Sequence, residues 1–262
     1  MKLLFRISED YEEEMAVAKS VFGEDLVNYR TEISGNELVV GRYSVLPFYE
    51  ELEKELALKG NRLINSYEQH LYIADIKNYY EDLKEFTPKT YFLWYNLPDG
   101  SYVVKGRTNS RKFQWDKQMF ARTNVDVVSI VSRLLDDSLI REQGVCVRKY
   151  VPLRTYDIGI NGLPITNEWR CFCYREKLLV YGYYWSNFPD KKPYDELPEE
   201  ALDLLDKIMK IVSKKTNFYV VDLAETEDGK WIMIELNDGQ QSGLSEIDSG
   251  IFYKRLKEEI DE

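Results

Sequence analysis

Histidine is nearly absent from this sequence. His70 is the single one among 262 residues, so any Ser-His-Asp or Cys-His mechanism would have to run through that position. Cysteine is scarce too: Cys146, Cys171 and Cys173 are an odd number, without the spacing of a secreted disulfide scaffold. Cys171 and Cys173 stand two apart in a β-forming stretch and share a face, but no second cysteine pair completes a metal site. They read as small buried hydrophobes in a reducing compartment. No apolar run approaches the roughly 18 residues that a bilayer crossing requires. Met1–Ser8 lacks the basic region, apolar stretch and cleavage site of an export signal, so the expected location is cytoplasmic, with no membrane partner. Positive charge is also in deficit: 35 Lys and Arg against 46 Asp and Glu leave a net charge of −11. That disfavours nucleic acid or an anionic lipid surface as the main partner. The basic segment Gly106–Lys112, GRTNSRK, is the clearest local exception. Neither G-x-x-x-x-G-K-[ST] nor a G-x-G-x-x-G after a strand occurs, which excludes the two commonest phosphate loops.

What is present is a globular composition, 44% hydrophobic and 31% charged, with enough apolar residues for one large domain or two smaller ones. Met1–Arg6 reads as a strand and Glu9–Phe22 as a helix. Thr31–Ile33 and Glu37–Gly41 flank Ser34-Gly35-Asn36 as a hairpin. Pro47 opens an amphipathic helix that Gly60 closes, before a short strand at Arg62–Ile64. Helices follow over Tyr67–Glu85, then strands Thr90–Tyr95 and Tyr102–Lys105 joined by a turn at Leu97–Gly100. A helix at Val125–Asp136, a β-rich region at Gly144–Tyr184 and a helix at Leu197–Lys214 come next. A hairpin and a terminal helix near Gly250–Ile260 complete the chain. Strands and helices mixed in this way predict an α+β fold.

The hairpin carries the sharpest signal. Phe218–Asn237 reads FYVVDLAETEDGKWIMIELN, with Asp228-Gly229 as a two-residue turn pair. Partners across that turn have numbers summing to about 457, which places Asp222 opposite Glu235, Val221 opposite Leu236 and Leu223 opposite Ile234. Two carboxylates directly opposite destabilise a sheet unless something compensates. A hard divalent cation held by Asp222, Glu235 and Asn237, all oxygen donors, is one compensation, and Mg²⁺ also takes nucleotide phosphates. Solvation, or pairing with Arg or Lys, is the other.

Taken together, these residues resemble the ATP-grasp superfamily over roughly Ala74–Leu244. Val221-Asp222 and Ile234-Glu235-Leu236-Asn237 are similar to its paired acidic and E-x-N strands. Asp238–Leu244 stands where its substrate loop would be, without the usual Pro-Gly. Tyr102-Val103-Val104-Lys105-Gly106 resembles the strand whose lysine contacts phosphates, with Arg107–Lys112 in place of a glycine-rich flap. Arg148, Lys149, Tyr150 and Val151 fall around a stretch resembling the adenine hinge. Arg170 stands where the family has an arginine near the γ-phosphate, with Glu168 two residues earlier on the same face to orient it. Lys77 fits loosely as a further phosphate lysine.

The resemblance implies two α+β subdomains gripping ATP, over residues 74–262, preceded by a short N-terminal α/β pre-ATP-grasp subdomain over residues 1–73, from which Arg42 reaches toward the substrate cleft. It implies ATP and Mg²⁺ as cofactors, with Lys105 and Arg170 as catalytic residues. The implied activity is an ATP-dependent carboxylate-amine ligase that proceeds through an acyl phosphate. Its substrate pair would be an amino acid, peptide or protein. A small-molecule kinase and a non-catalytic nucleotide-binding module are the alternatives.

Overall fold

The computed structural model describes residues 1–188, 190 and 192–261. The chain begins with a four-stranded parallel sheet, made of β1 (Lys2–Phe5), β2 (Leu26–Val27), β3 (Leu38–Arg42) and β4 (Arg62–Leu63), in the order β2-β1-β3-β4. Helices α1 (Glu12–Phe22) and α2 (Tyr49–Ala57) cover it. The hairpin expected around Ser34-Gly35-Asn36 does not form. Arg30–Glu32 is a single 3₁₀ turn, and β3 lies parallel to β1. The alternation of Leu38–Arg42 was legible, but its paired residues lie 37 positions earlier, beyond the reach of a turn signal.

Two short helices follow, α3 (Tyr67–Ala74) and α4 (Ile76–Leu83). The Ser66 hydroxyl caps α3 while Gln69 reaches back to the Ser66 N–H, and the Asp75 side chain caps α4. A second sheet then forms from β5 (Thr90–Tyr91), β6 (Tyr102–Gly106), β7 (Phe120–Ala121) and, after α5 (Asn124–Leu134) and α6 (Ser138–Gln143), β8 (Val145–Lys149). Its order is β5-β8-β6-β7, so β5 and β6 do not pair with each other as their spacing suggested. Each lies against β8, because the chain after Tyr91 leaves the sheet in an open excursion with Leu93 and Tyr95 exposed.

The small hairpin β9 (Thr155–Ile158) and β10 (Pro164–Thr166) leads into a third sheet. That sheet contains β11 (Glu168–Tyr174), β12 (Lys177–Tyr183), β13 (Phe218–Glu225) and β14 (Trp231–Asp238), in the antiparallel order β12-β11-β13-β14. Every residue of β13 is buried, as an inner strand with both faces covered should be. One face, with Cys171, Val221 and Leu223, packs on α4 and on α7 (Glu199–Val212). The buried residues of α7 recur at helical spacing: Ala201, Leu205, Ile208, Met209 and Val212. The opposite face, with Phe172, Phe218 and Val220, packs on the N-terminal sheet and on the last helix, α8 (Ser249–Asp261), which also lies along α1. Cys146, Cys171 and Cys173 are buried and unbridged, as their sequence context indicated. Among the described residues no helix is long and apolar enough to cross a membrane.

Candidate active site

The hairpin β13–β14 positions the acidic cluster, and it does so by two offsets that cancel. The turn is a three-residue loop, Glu227–Gly229, closed by the Thr226 N–H donating to the Lys230 carbonyl at 2.8 Å. Gly229 has φ of +81°, the left-handed position where glycine carries no Cβ penalty. Near the turn, therefore, Leu223 faces Met233 and Ala224 faces Ile232, one residue away from the register of a two-residue turn. A β-bulge between Asp222 and Leu223 then absorbs one residue, Ile234, and restores the register beyond it. Asp222 lies opposite Glu235 and Val221 opposite Leu236, as the sequence pattern predicted. The bulge also sets which side chains of β14 face the cleft. Met233 is fully buried in the core, whereas Ile232 and Ile234 line the cleft together with Glu235.

That cleft opens between the second and third sheets. From β6 and β8 it receives Val103, Lys105 and Arg148, followed by Lys149, Tyr150 and Val151 as the strand ends. Its inner part is narrow, a cavity of about 110 Å³, with Leu163, Glu168, Ile232 and Ile234 among its walls. The Lys149 N–H donates to Lys89 O and the Tyr150 N–H to Ser101 O, which fixes the path of the strand end. Arg148 is buried and spans the two sheets. Its guanidinium donates to the Ile234 carbonyl at the bulge (2.6 Å) and to the Thr87 hydroxyl (2.5 Å), while Nε has no partner.

Three carboxylates and three cations meet here. The Arg170 guanidinium grips Asp222 with both arms, Nε to Oδ1 at 2.9 Å and Nη2 to Oδ2 at 2.8 Å. Its Nη1 donates to Gly243 O at 2.9 Å, which ties down the loop beyond β14. Lys105 donates to Glu235. Lys112, from the segment after β6, reaches in to bond the Tyr184 hydroxyl at 2.8 Å and lies 3.7 Å from Glu168. Asn237 donates to Asp222 at 3.3 Å. Glu168, which sequence reasoning assigned to orienting Arg170, faces Lys112; Asp222 orients Arg170 instead.

The electrostatics follow from burial and pairing. Burial alone would raise the Glu235 carboxyl, but the Lys105 and Lys112 charges outweigh it and hold Glu235 below the ordinary value. At Glu168 burial wins, and its carboxyl is raised, although Lys112 opposes the effect. One Glu168 oxygen, Oε1, is buried without a hydrogen-bond partner. Desolvation disfavours the charged form of Lys112, yet Glu168, Tyr184, Asp222 and Glu235 more than offset it and push its ammonium up.

The structure thus brings Lys105, Arg148, Lys149, Tyr150, Val151, Glu168, Arg170, Asp222, Glu235 and Asn237 to one region. Lys77 is exposed on the first turn of α4, apart from the residues lining the cleft. Arg42 is also displaced from its expected place. It is fully buried, donates to the Gly239 and Ser242 carbonyls at 3.0 and 2.7 Å, and pairs with Glu14 at 2.8 Å. It therefore braces the loop after Asn237 from behind. Lys112 was visible in sequence only as part of a basic segment, and nothing local marks it as the residue that turns inward.

Among the described residues no three His, Cys, Asp or Glu side chains converge as a metal site. The candidate set is the opposed pair Asp222 and Glu235 with the Asn237 amide. Both carboxylates already hold a cation here, so the site demands positive charge, and its oxygen donors suit a hard divalent ion.

Two sheets that face each other across a cleft, with a lysine-bearing strand on one side and paired acidic strands on the other, define an ATP-grasp domain. The model of the ATP-grasp domain, R2K clade family 3, matches residues 95–256, more than half of the chain. The chain belongs to that family.

Solved structures share the fold at low identity. D-cycloserine synthetase DcsG superposes with a TM-score of 0.66 at 15% identity, covering 98% of this chain and 99% of its own. A RimK domain ATP-grasp protein from Sphaerobacter thermophilus DSM 20745 gives 0.60 at 15% identity, covering 98% and 100%. The ATP-grasp ligase PsnB, solved with minimal precursor, Mg and ADP, gives 0.56 at 11% identity, covering 99% and 98%. No curated protein matches the sequence.

Proposed function

We propose that the chain is an ATP-dependent carboxylate-amine ligase. The observation that supports this most strongly is the cluster in which the phosphate-type cations Lys105 and Arg170 pair with the opposed acids Glu235 and Asp222. In this reading residues 74–262 form the nucleotide-gripping domain and residues 1–73 an N-terminal subdomain. The adenine lies in the narrow inner cleft between Val103, Tyr150, Val151 and Ile232, and Lys149 flanks it.

A substrate carboxylate oxygen attacks the γ-phosphorus and the bond to ADP breaks, giving an acyl phosphate. An amine then attacks the acyl carbon, phosphate leaves, and the nitrogen sheds a proton. The first step concentrates negative charge, so its catalysis is positioning and neutralisation. Asp222, Glu235 and Asn237 would hold Mg²⁺, which when bound supplies charge neutralisation to phosphate oxygens. Lys105 and Arg170, now paired with those same carboxylates, then face the phosphates. Glu168 suits the second step: its carboxyl is raised by burial, and its Oε1 faces Lys112 at 3.7 Å without accepting a hydrogen bond, so it can take the amine proton.

The test is thermal shift with ATP, with and without Mg²⁺, on wild type and Glu235→Ala, followed by product analysis. Mg-dependent stabilisation of wild type that is lost in the variant is expected. With a substrate pair, ADP and free phosphate should appear together with a condensed product. A phosphorylated acceptor instead would make the protein a kinase, and no response to ATP in wild type would overturn the nucleotide site.

A further inference from the structure

Outside the narrow nucleotide cleft lies a second, wider chamber of about 830 Å³, separated from it by Lys112 and Trp185, which line both. Its walls come from the segment after β6, the β9–β10 hairpin, the loop after β12 and the loop after β14. Three properties set it apart from the rest of this acidic molecule. No carboxylate is among the described residues that line it. Of its three cations, Arg111 is paired with Asp137, and Lys112 and Arg170 stand at its inner end, next to the place where the phosphates would bind. Its outer rim is apolar and open, with Phe113 71% exposed and Ile160 62% exposed.

We infer that this chamber takes the carboxylate substrate, and that this substrate has no free ammonium group beside its carboxylate: it is an acid whose α-nitrogen is acylated, with apolar bulk. The inference rests on the ligase reading of the same site. A free α-amino acid brings an ammonium that loses its water on binding and needs an anion or several acceptors in return. Among the described residues this chamber has no anion in its lining to offer. Aromatic faces could substitute by cation–π attraction, but those nearest are already taken by the protein's own cations. The Lys112 ammonium lies 4.0 Å from the Tyr184 ring centre and 5.6 Å from that of Trp185, and the Arg170 guanidinium lies 4.7 Å from that of Tyr184. A second positive charge would therefore meet Lys112 and Arg170 at the inner end and only neutral acceptors and aromatic rings elsewhere. An acylated nitrogen is neutral, and the Gln114, Ser186, Asn187 and Ser245 side chains lining the same walls can hydrogen-bond its amide. Phe113 and Ile160 meet its apolar part.

The same chemistry is presented by a small N-acylated amino acid and by the end of a peptide, and titration calorimetry separates the two. The probes are N-acetyl-L-phenylalanine, L-phenylalanine and a tetrapeptide ending in phenylalanine. Each is titrated into the protein with Mg²⁺ and a non-hydrolysable ATP analogue, and again without nucleotide. N-acetyl-L-phenylalanine should bind at least tenfold more tightly than L-phenylalanine. A tetrapeptide that binds more tightly still assigns the chamber to a polypeptide end, and one that binds no better than the acetylated acid assigns it to a small acid. Equal or tighter binding of L-phenylalanine overturns the inference, as does the absence of binding by both acylated probes. The ATP-analogue titration of the same preparation tells which reading failed: heat from the analogue with none from the acids refutes the chamber alone.

Discussion

Glu235→Ala in metal-free, nucleotide-free buffer tests the electrostatic account at its centre. Read from sequence, the opposed carboxylates repel, so removing one should relieve the sheet. The structure predicts the opposite. Glu235 is paired with Lys105, whose side chain is 5% exposed, and the surrounding cations hold the Glu235 carboxyl below its ordinary value. Deleting the acid leaves a buried ammonium without its partner, a loss that costs about 3–5 kcal/mol in comparable sites. For a chain of this size that is a fall in Tm of about 5–9 °C.

The pH dependence has a definite sign. A carboxyl depressed in the fold stabilises fully above its unfolded pKa, and that contribution is lost as pH falls through the folded value. The gap between wild type and Glu235→Ala should therefore close as pH drops below the ordinary carboxylate range. A double variant, Lys105→Met with Glu235→Ala, should recover much of the loss, because neither charge is then left alone. Denaturant melts at neutral and acidic pH measure all of this. An unchanged or raised Tm for Glu235→Ala at neutral pH would refute the reasoning.

Three further outcomes follow from the same contacts. Arg170→Lys keeps the charge but cannot grip Asp222 with two parallel bonds, so ATP turnover should fall about 10²–10³-fold with a smaller change in KM, read by coupled ADP release. Glu168→Gln removes a carboxyl whose folded pKa is raised. Wild type gains stability as pH falls from above that value to the unfolded one, so the variant should melt higher at neutral pH, with the difference shrinking on acidification. In the same variant kcat should fall about 10²-fold and lose its acid limb. Arg42→Lys cannot reach the Gly239 and Ser242 carbonyls together, and hydrogen exchange of residues 239–242 should speed up while β11–β13 stay protected.

How much of this was legible in the sequence depended on range. Alternation and turn residues placed Asp222 opposite Glu235, although the turn proved one residue longer than the Asp-Gly pair suggested and a bulge at Ile234 made good the difference. Helices with caps and amphipathic spacing, such as α3 and α7, were visible because their causes are local. Partnerships across long separations were not. Lys105 and Glu235 are 130 residues apart, and nothing near either names the other. The pairing of β3 with β1, the inward turn of Lys112 and the destination of Arg42 likewise depend on packing between elements. Burial sets the destination of Arg42: Gly41 lies so close to Val45 and Gln240 that an added Cβ would stand 2.4 Å from a Val45 methyl, and the neighbouring guanidinium is sealed beneath the loop.

That guanidinium has a consequence for how damage spreads through the protein. Glu14 on the first helix and the Tyr253 hydroxyl on the last are 239 residues apart, yet they bond to each other at 2.5 Å and both bond to Arg42. Arg42 in turn holds the carbonyls that shape the loop beyond Asn237. A lesion in either outer helix is thus delivered, through one side chain, to the loop that carries Gly243 and Ser245 into the wall of the second chamber. A random-mutation screen for lost activity should accordingly return hits along the inner faces of α1 and α8, far from any nucleotide, at positions a map of cleft-lining residues would pass over.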